Sequence, residues 1–208
     1  MINLPTDLPS ELVPLSWLIG VWEGTGVVEY AIGDRQIRQE FGQRVSFSHD
    51  GQPYLNYASH TWLPSGADGA EGVDPIGAQP LTAETGYWRL SRSFVDGDPG
   101  PGMLPAEGPR PFATAEAVET LRNDSDGFDL NVALVHPSGV NELYLGQVRS
   151  ARIDLATDAV MRTEGAKEYS AATRIYGLVE GDLLWAWDMA ALGQELRSHA
   201  SGRLSRAD

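Results

Sequence analysis

The chain has 208 residues, with 29 acidic side chains against 15 basic ones and a formal charge of −14. A field of that sign repels phosphate backbones, so nucleic-acid binding through a basic face is not expected. The chain has no cysteine, which excludes disulfides, thiolate metal sites, iron–sulfur clusters and a cysteine nucleophile, and fits a cytoplasmic protein.

The opening residues, Met1 to Asp7, lack the basic start and apolar stretch of a signal peptide, and no apolar run reaches the roughly 20 residues that span a bilayer. No membrane association is expected. One short helix is predicted near 9–18, with Ser10 as its N-cap before Glu11, Leu12, Leu15 and Leu18; Pro14 limits it to a turn or two. Strands are predicted near 21–30, 36–48, 53–63, 83–93, 116–123, 127–136, 139–148, 150–156, 158–163, 168–179, 182–190 and 195–204. Turn residues such as Asp50-Gly51, Pro137-Ser138-Gly139 and Glu180-Gly181-Asp182 separate them. Many short strands at this spacing predict an all-β sandwich or barrel. Two stretches rich in Gly, Ala and Pro, 64–80 and 96–111, are expected to be loops with little order of their own, as rim insertions or as a lid over a cavity mouth. The whole chain, 1–208, reads as a single domain.

In the segment 182–190, Leu183, Trp185 and Trp187 share one face, and Leu184, Ala186 and Asp188 the other. Neither face is plainly polar. Such a strand is either buried twice or lines an apolar cavity with one face.

The glycine cluster Gly20-Val21-Trp22-Glu23-Gly24-Thr25-Gly26 is followed by strand-like residues rather than a helix. It is therefore read as a curved first strand with Trp22 plugging one end of a barrel, not as a phosphate loop. His49 reads as an exposed turn residue, His60 as a hydrogen-bonded strand residue and His136, before Pro137, as a loop residue. His199 differs, because Ser198, Ala200, Ser201 and Gly202 leave room for a flat ligand to approach the imidazole. Strand parity puts His199 on the face of Arg197 and Arg203, so an inward His199 requires a bulge or a twist. Histidine spacing offers no zinc site, and there is no Gly-x-Ser-x-Gly elbow. The carboxylate pairs Glu29/Glu40 and Asp154/Asp158 read as solvated surface. Lys167, the only lysine, is either a surface residue or a cation at a pocket mouth.

The chain resembles the nitrobindin family. The opening from Pro14 to Gly26 carries that family's Gly-x-Trp-x-Gly-x-Gly signature. Phe47-Ser48-His49-Asp50-Gly51, the segment Ala83-Glu84-Thr85-Gly86-Tyr87-Trp88-Arg89, Ala166-Lys167-Glu168, Tyr176 to Leu183 and Asp188 to Gln194 resemble further family motifs. The resemblance implies a roughly ten-stranded antiparallel up-and-down barrel, related in shape to lipocalins and fatty-acid-binding proteins, that holds one haem b. It places the axial histidine on His199 and a haem-neighbouring lysine on Lys167. The implied activity is that of a ferric protein that binds nitric oxide and isomerises peroxynitrite to nitrate. Three departures stand out: Thr82 where relatives often carry histidine, Ala31-Ile32-Gly33 where a threonine is usual, and Ser198-His199-Ala200-Ser201-Gly202 in the last strand. Thr82 leaves a more apolar distal face. An axial imidazole needs a second-shell acceptor, which the sequence does not identify. The alternative reading is a carrier of a fatty acid or other apolar ligand, with Arg174 or Arg162 receiving its carboxylate.

Overall fold

The computed structural model describes residues 8–32, 35–64 and 78–207. A 3-10 helix, Ser10–Leu18, leads into ten strands. These are β1 (Gly20–Ile32), β2 (Arg35–Ser48), β3 (Leu55–Leu63), β4 (Gln79–Leu90), β5 (Phe128–Val135), β6 (Val140–Arg149), β7 (Arg152–Arg162), β8 (Tyr169–Val179), β9 (Asp182–Ala191) and β10 (Arg197–Arg206). Each pairs antiparallel with the next, and β10 pairs with β1 to close the barrel. Closure leaves no strand edge open to a partner. Among the described residues no helix is long and apolar enough to cross a membrane.

The N-terminal helix is 3-10 rather than α for a reason visible in its spacing. Leu12, Leu15 and Leu18 recur every third residue, which in a three-residue turn stacks them on one face, and all three are fully buried. Ser10 is not its cap: Pro9 holds that position, and the Ser10 hydroxyl donates to the Ala113 carbonyl at 2.9 Å.

This helix closes one end of the barrel. Trp22 is buried beneath it, donating its indole N–H to the Leu18 carbonyl at 2.7 Å under the Arg206 guanidinium. Phe47, Trp88 and Tyr176 continue the core inward, each ring edge-on to the next. Two glycines of the opening signature are required by close approach. A Cβ on Gly24 would lie 2.2 Å from the Arg203 carbonyl oxygen, and one on Gly26 would lie 2.3 Å from the Phe41 ring.

Three expectations are corrected. Residues 116–123 hold a short helix, α1 (Ala115–Glu119), capped by the Thr114 hydroxyl, with Val118 buried. The two strands expected over 150–163 are one, β7. The stretch 96–111 is pinned at the closed end rather than lying over the mouth. Asp98 in it is buried against Arg92, which also holds the buried Glu11 of the 3-10 helix at 2.5 Å, and Arg110 donates to the Gly51 carbonyl at 2.9 Å. Of the other predicted loop, 64–80, residues 65–77 lie outside the described residues.

Candidate functional site

Opposite the 3-10 helix the barrel opens onto a cavity of about 770 Å³, within the size range of small-molecule and cofactor sites. Apolar side chains line much of its wall, among them Val28, Phe41, Leu183, Trp185 and Met189. The inward face of β9 is thus a cavity lining, which is why neither face of that strand read as polar.

His199 stands on this wall. The β9–β10 register runs Ser198↔Asp188 and then Ala200↔Trp187, skipping His199, so the last strand carries the bulge that parity demanded. Its effect is direct: His199 and Ala200 are consecutive, yet both line the cavity, which a regular strand forbids. Arg203 remains outside, exposed and paired with Asp182 at 2.6 Å. The Trp187 indole meets the His199 imidazole edge-on, with ring centroids 5.2 Å apart. Burial lowers the pKa of His199, against the opposing effect of a hydrogen bond to the Glu29 backbone carbonyl. Burial thus favours the neutral form of the imidazole, and the Glu29 backbone of β1 is the polar group that works against it. One small neighbour has a steric role: a Cβ on Gly202 would sit 2.6 Å from Trp185 Nε1, the atom that donates to Gln43 at 2.8 Å.

Lys167 lies at the cavity mouth, in the turn between β7 and β8, and is exposed. Its carbonyl accepts from Arg162 at 3.1 Å. Its ammonium makes no ion pair among the described residues. Thr82 also lines the mouth, on β4.

One group of site residues escaped the sequence reading apart from Arg174, which it named as a carboxylate receptor for the carrier alternative. Arg174 on β8 is buried and grips Glu84 of β4 with two hydrogen bonds, Nη1 to Oε1 at 2.7 Å and Nη2 to Oε2 at 2.9 Å. Tyr57 donates to the same Glu84 oxygen at 2.5 Å. Behind it, Glu142 accepts from Tyr144 at 2.5 Å, from Tyr169, and meets His136 Nε2 at 2.6 Å. His136 lies just after β5, at the start of the turn where it was expected, but its ring turns into the cavity, stacked on Trp187. Burial pushes the Glu84 carboxyl upward, but Arg174, His136 and the Tyr57 hydroxyl outweigh it and bring its pKa down to about 2. Glu142 is likewise below its usual value: burial opposes this, and the bond to His136 and the charge of Arg174 prevail. Glu84, His136 and Glu142 offer ligand atoms within 4.8 Å of one another. The Arg174 guanidinium already meets both carboxylates there, as a bound cation would.

The remaining candidates are unremarkable. His60 is exposed on β3, and His49 is half-buried in its turn, accepting from the Gly51 N–H at 3.3 Å. Glu29 and Asp154 pair on the surface with Arg38 and Arg152. Arg162 is exposed at the rim, not buried as a carboxylate receptor would be.

Fold and site together define a ligand-binding barrel: ten strands around one deep, largely apolar cavity, with a neutral imidazole on its wall. The chain belongs to the nitrobindin family, since the THAP4-like, heme-binding beta-barrel domain matches residues 11–206. Similar curated proteins include one from Clavibacter michiganensis subsp. michiganensis, 69% identical over the whole of both chains, and one from Leifsonia xyli subsp. xyli, 65% identical over the whole of both. A third, from Paenarthrobacter aurescens, is 51% identical over 99% of this chain and 98% of its own. All three are named peroxynitrite isomerase. The crystal structure of Rv2717c from M. tuberculosis superposes with a TM-score of 0.66 at 27% identity, covering 99% of this chain and 100% of that one.

The residues present fit the family's haem. The cavity is large enough and largely apolar, and burial favours the neutral form of the imidazole on the β10 side of its wall, the form a haem ligand needs.

Proposed function

We propose that this single-domain chain holds one haem b in the barrel cavity through His199, and that it isomerises peroxynitrite to nitrate as its curated relatives are named to do. The observation that carries the reading is the β10 bulge. It turns one imidazole, which burial keeps toward its neutral form, onto the wall of a cavity of about 770 Å³.

When bound, haem would supply a ferric Lewis-acid centre for small ligands, nitric oxide and peroxynitrite among them. The chain does the rest. His199, kept toward its neutral form by burial, would hold the iron through an imidazole lone pair. Trp187 fixes the plane of that imidazole by its edge-on contact. Val28, Phe41 and Met189 exclude bulk water from the cavity. Lys167 at the mouth would hold a haem propionate, and its charge offsets part of the −14 charge that repels an incoming anion. The proposal places the protein in the cytoplasm, a compartment that its cysteine-free composition fits, with small molecules as its partners.

No observation favours the carrier reading: Arg174, the buried arginine available to a ligand carboxylate, is already engaged by Glu84. Stopped-flow decay of peroxynitrite tests the proposal. The haem-loaded chain accelerates the decay and raises the nitrate yield. Decay at the buffer rate with the loaded chain contradicts the proposal.

A further inference from the structure

The deep end of the cavity has the parts of a carboxylate receptor. Arg174 points a planar guanidinium at it, buried to 3% exposure, and Tyr57 and Tyr176 add hydroxyls. Such a fork matches a carboxylate bidentately. A barrel with apolar walls above such a floor is built to take a long-chain carboxylate, head down and tail toward the mouth.

The site is nevertheless filled by the chain itself. Both Glu84 oxygens take the Arg174 fork, at 2.7 and 2.9 Å, and Tyr57 caps one of them at 2.5 Å. Glu142 stands behind, with an oxygen 3.4 Å from Arg174 Nη2. A ligand carboxylate arriving here meets two buried carboxylates whose guanidinium and imidazole partners, Arg174 and His136, are already engaged, and like charges at this range in a buried site cost far more than in water. The Glu84 side chain lines the cavity and is 11% exposed, so it occupies the place where a ligand head group would enter.

We infer that Glu84 is a specificity-determining residue: it fills the Arg174–Tyr57 site as a built-in carboxylate and so bars long-chain carboxylates from the barrel. The inference is independent of haem, because it concerns the floor rather than the His199 wall. It also separates two kinds of barrel by one residue. With Glu84 removed, Arg174 keeps Glu142 as its internal partner, so the floor becomes a neutral pair with an open fork.

The test is calorimetric titration of the full-length, haem-free chain with decanoate and, as the uncharged control, decanol. Wild type is expected to show no saturable preference for decanoate. Glu84→Ala is expected to bind decanoate at least ten-fold tighter than wild type does and tighter than decanol, and adding Arg174→Met is expected to abolish that preference. Equal decanoate affinity in wild type and Glu84→Ala overturns the inference, as does equal affinity of the variant for decanoate and decanol. Should Glu84→Ala not fold, Glu84→Ser takes its place with the same expected gain, since it too vacates the fork. A saturable decanoate preference in wild type overturns the inference on its own.

Discussion

Trp187 stands at 88° to His199, ring centroids 5.2 Å apart, while its own face is covered by the Arg174 guanidinium at 4.3 Å. One indole thus joins the imidazole on the cavity wall to the ion-pair cluster on its floor. Replacing Trp187 with Leu removes the edge that fixes the imidazole plane and the face that carries Arg174. The expected result is weaker haem binding, by roughly tenfold given contacts of about 0.5–1.5 kcal/mol each, with the barrel retained. Haem affinity and far-ultraviolet circular dichroism check both halves.

The bulge makes a sharper prediction. Deleting Ser198 restores regular alternation to β10, so His199 then faces outward beside Asp188. The deletion should abolish haem binding while leaving a folded barrel. Retention of haem by this variant contradicts the claim that the bulge delivers the ligand.

Acid should act on two groups in different ranges. Burial lowers the His199 pKa, so the imidazole stays neutral down to about pH 6.5, its ordinary midpoint, and below. Haem affinity should be level from pH 8 to about 6.5 and fall only further down, where protons compete with iron. Glu84 governs fold stability instead. Its folded pKa of about 2 lies below the ordinary carboxyl value, so its contribution, on the order of 3 kcal/mol, is complete above about pH 4.5 and is lost as pH falls toward 2. Urea denaturation should show wild type more stable than Glu84→Gln at pH 6, with the gap narrowing at pH 3.

The closed end rests on a second buried ion cluster. Arg92, at 4% exposure, binds Glu11 and Asp98, which are just as buried, and so ties the 96–111 loop to the 3-10 helix. Arg92→Met strands two buried carboxylates and is expected to cost about 3–5 kcal/mol. It should also open that loop to proteolysis without changing the haem spectrum.

Charge predicts the kinetics of entry. A −14 protein repels an anionic substrate, so the second-order rate with peroxynitrite should rise with ionic strength. Lys167→Glu removes the cation at the mouth and should lower the low-salt rate roughly two- to fivefold, an effect that salt erases.

The barrel was legible because turn residues and alternation mark strands locally, and the resemblance supplied closure. The mistakes have local causes. In 116–123, Val118 and Leu121 sit three apart, a helical spacing, and the Thr114 cap ahead of them went unread. His136 was hidden by Pro137, which signals a loop. Its partner Glu142 is six residues on, across the Pro137–Gly139 turn, so the two share an inward face. That face was obscured because the outward neighbours, Leu143 and Leu145, are apolar and half exposed. Parity alone foresaw the His199 bulge.

The central claim is that His199 is the axial ligand, and a haemin titration followed in the Soret region tests it most directly, with wild type and His199→Ala run side by side. Saturable one-to-one binding in wild type, lost in the variant while its circular dichroism stays that of a barrel, is the predicted result. A Soret band of the same position and saturation in His199→Ala would contradict it.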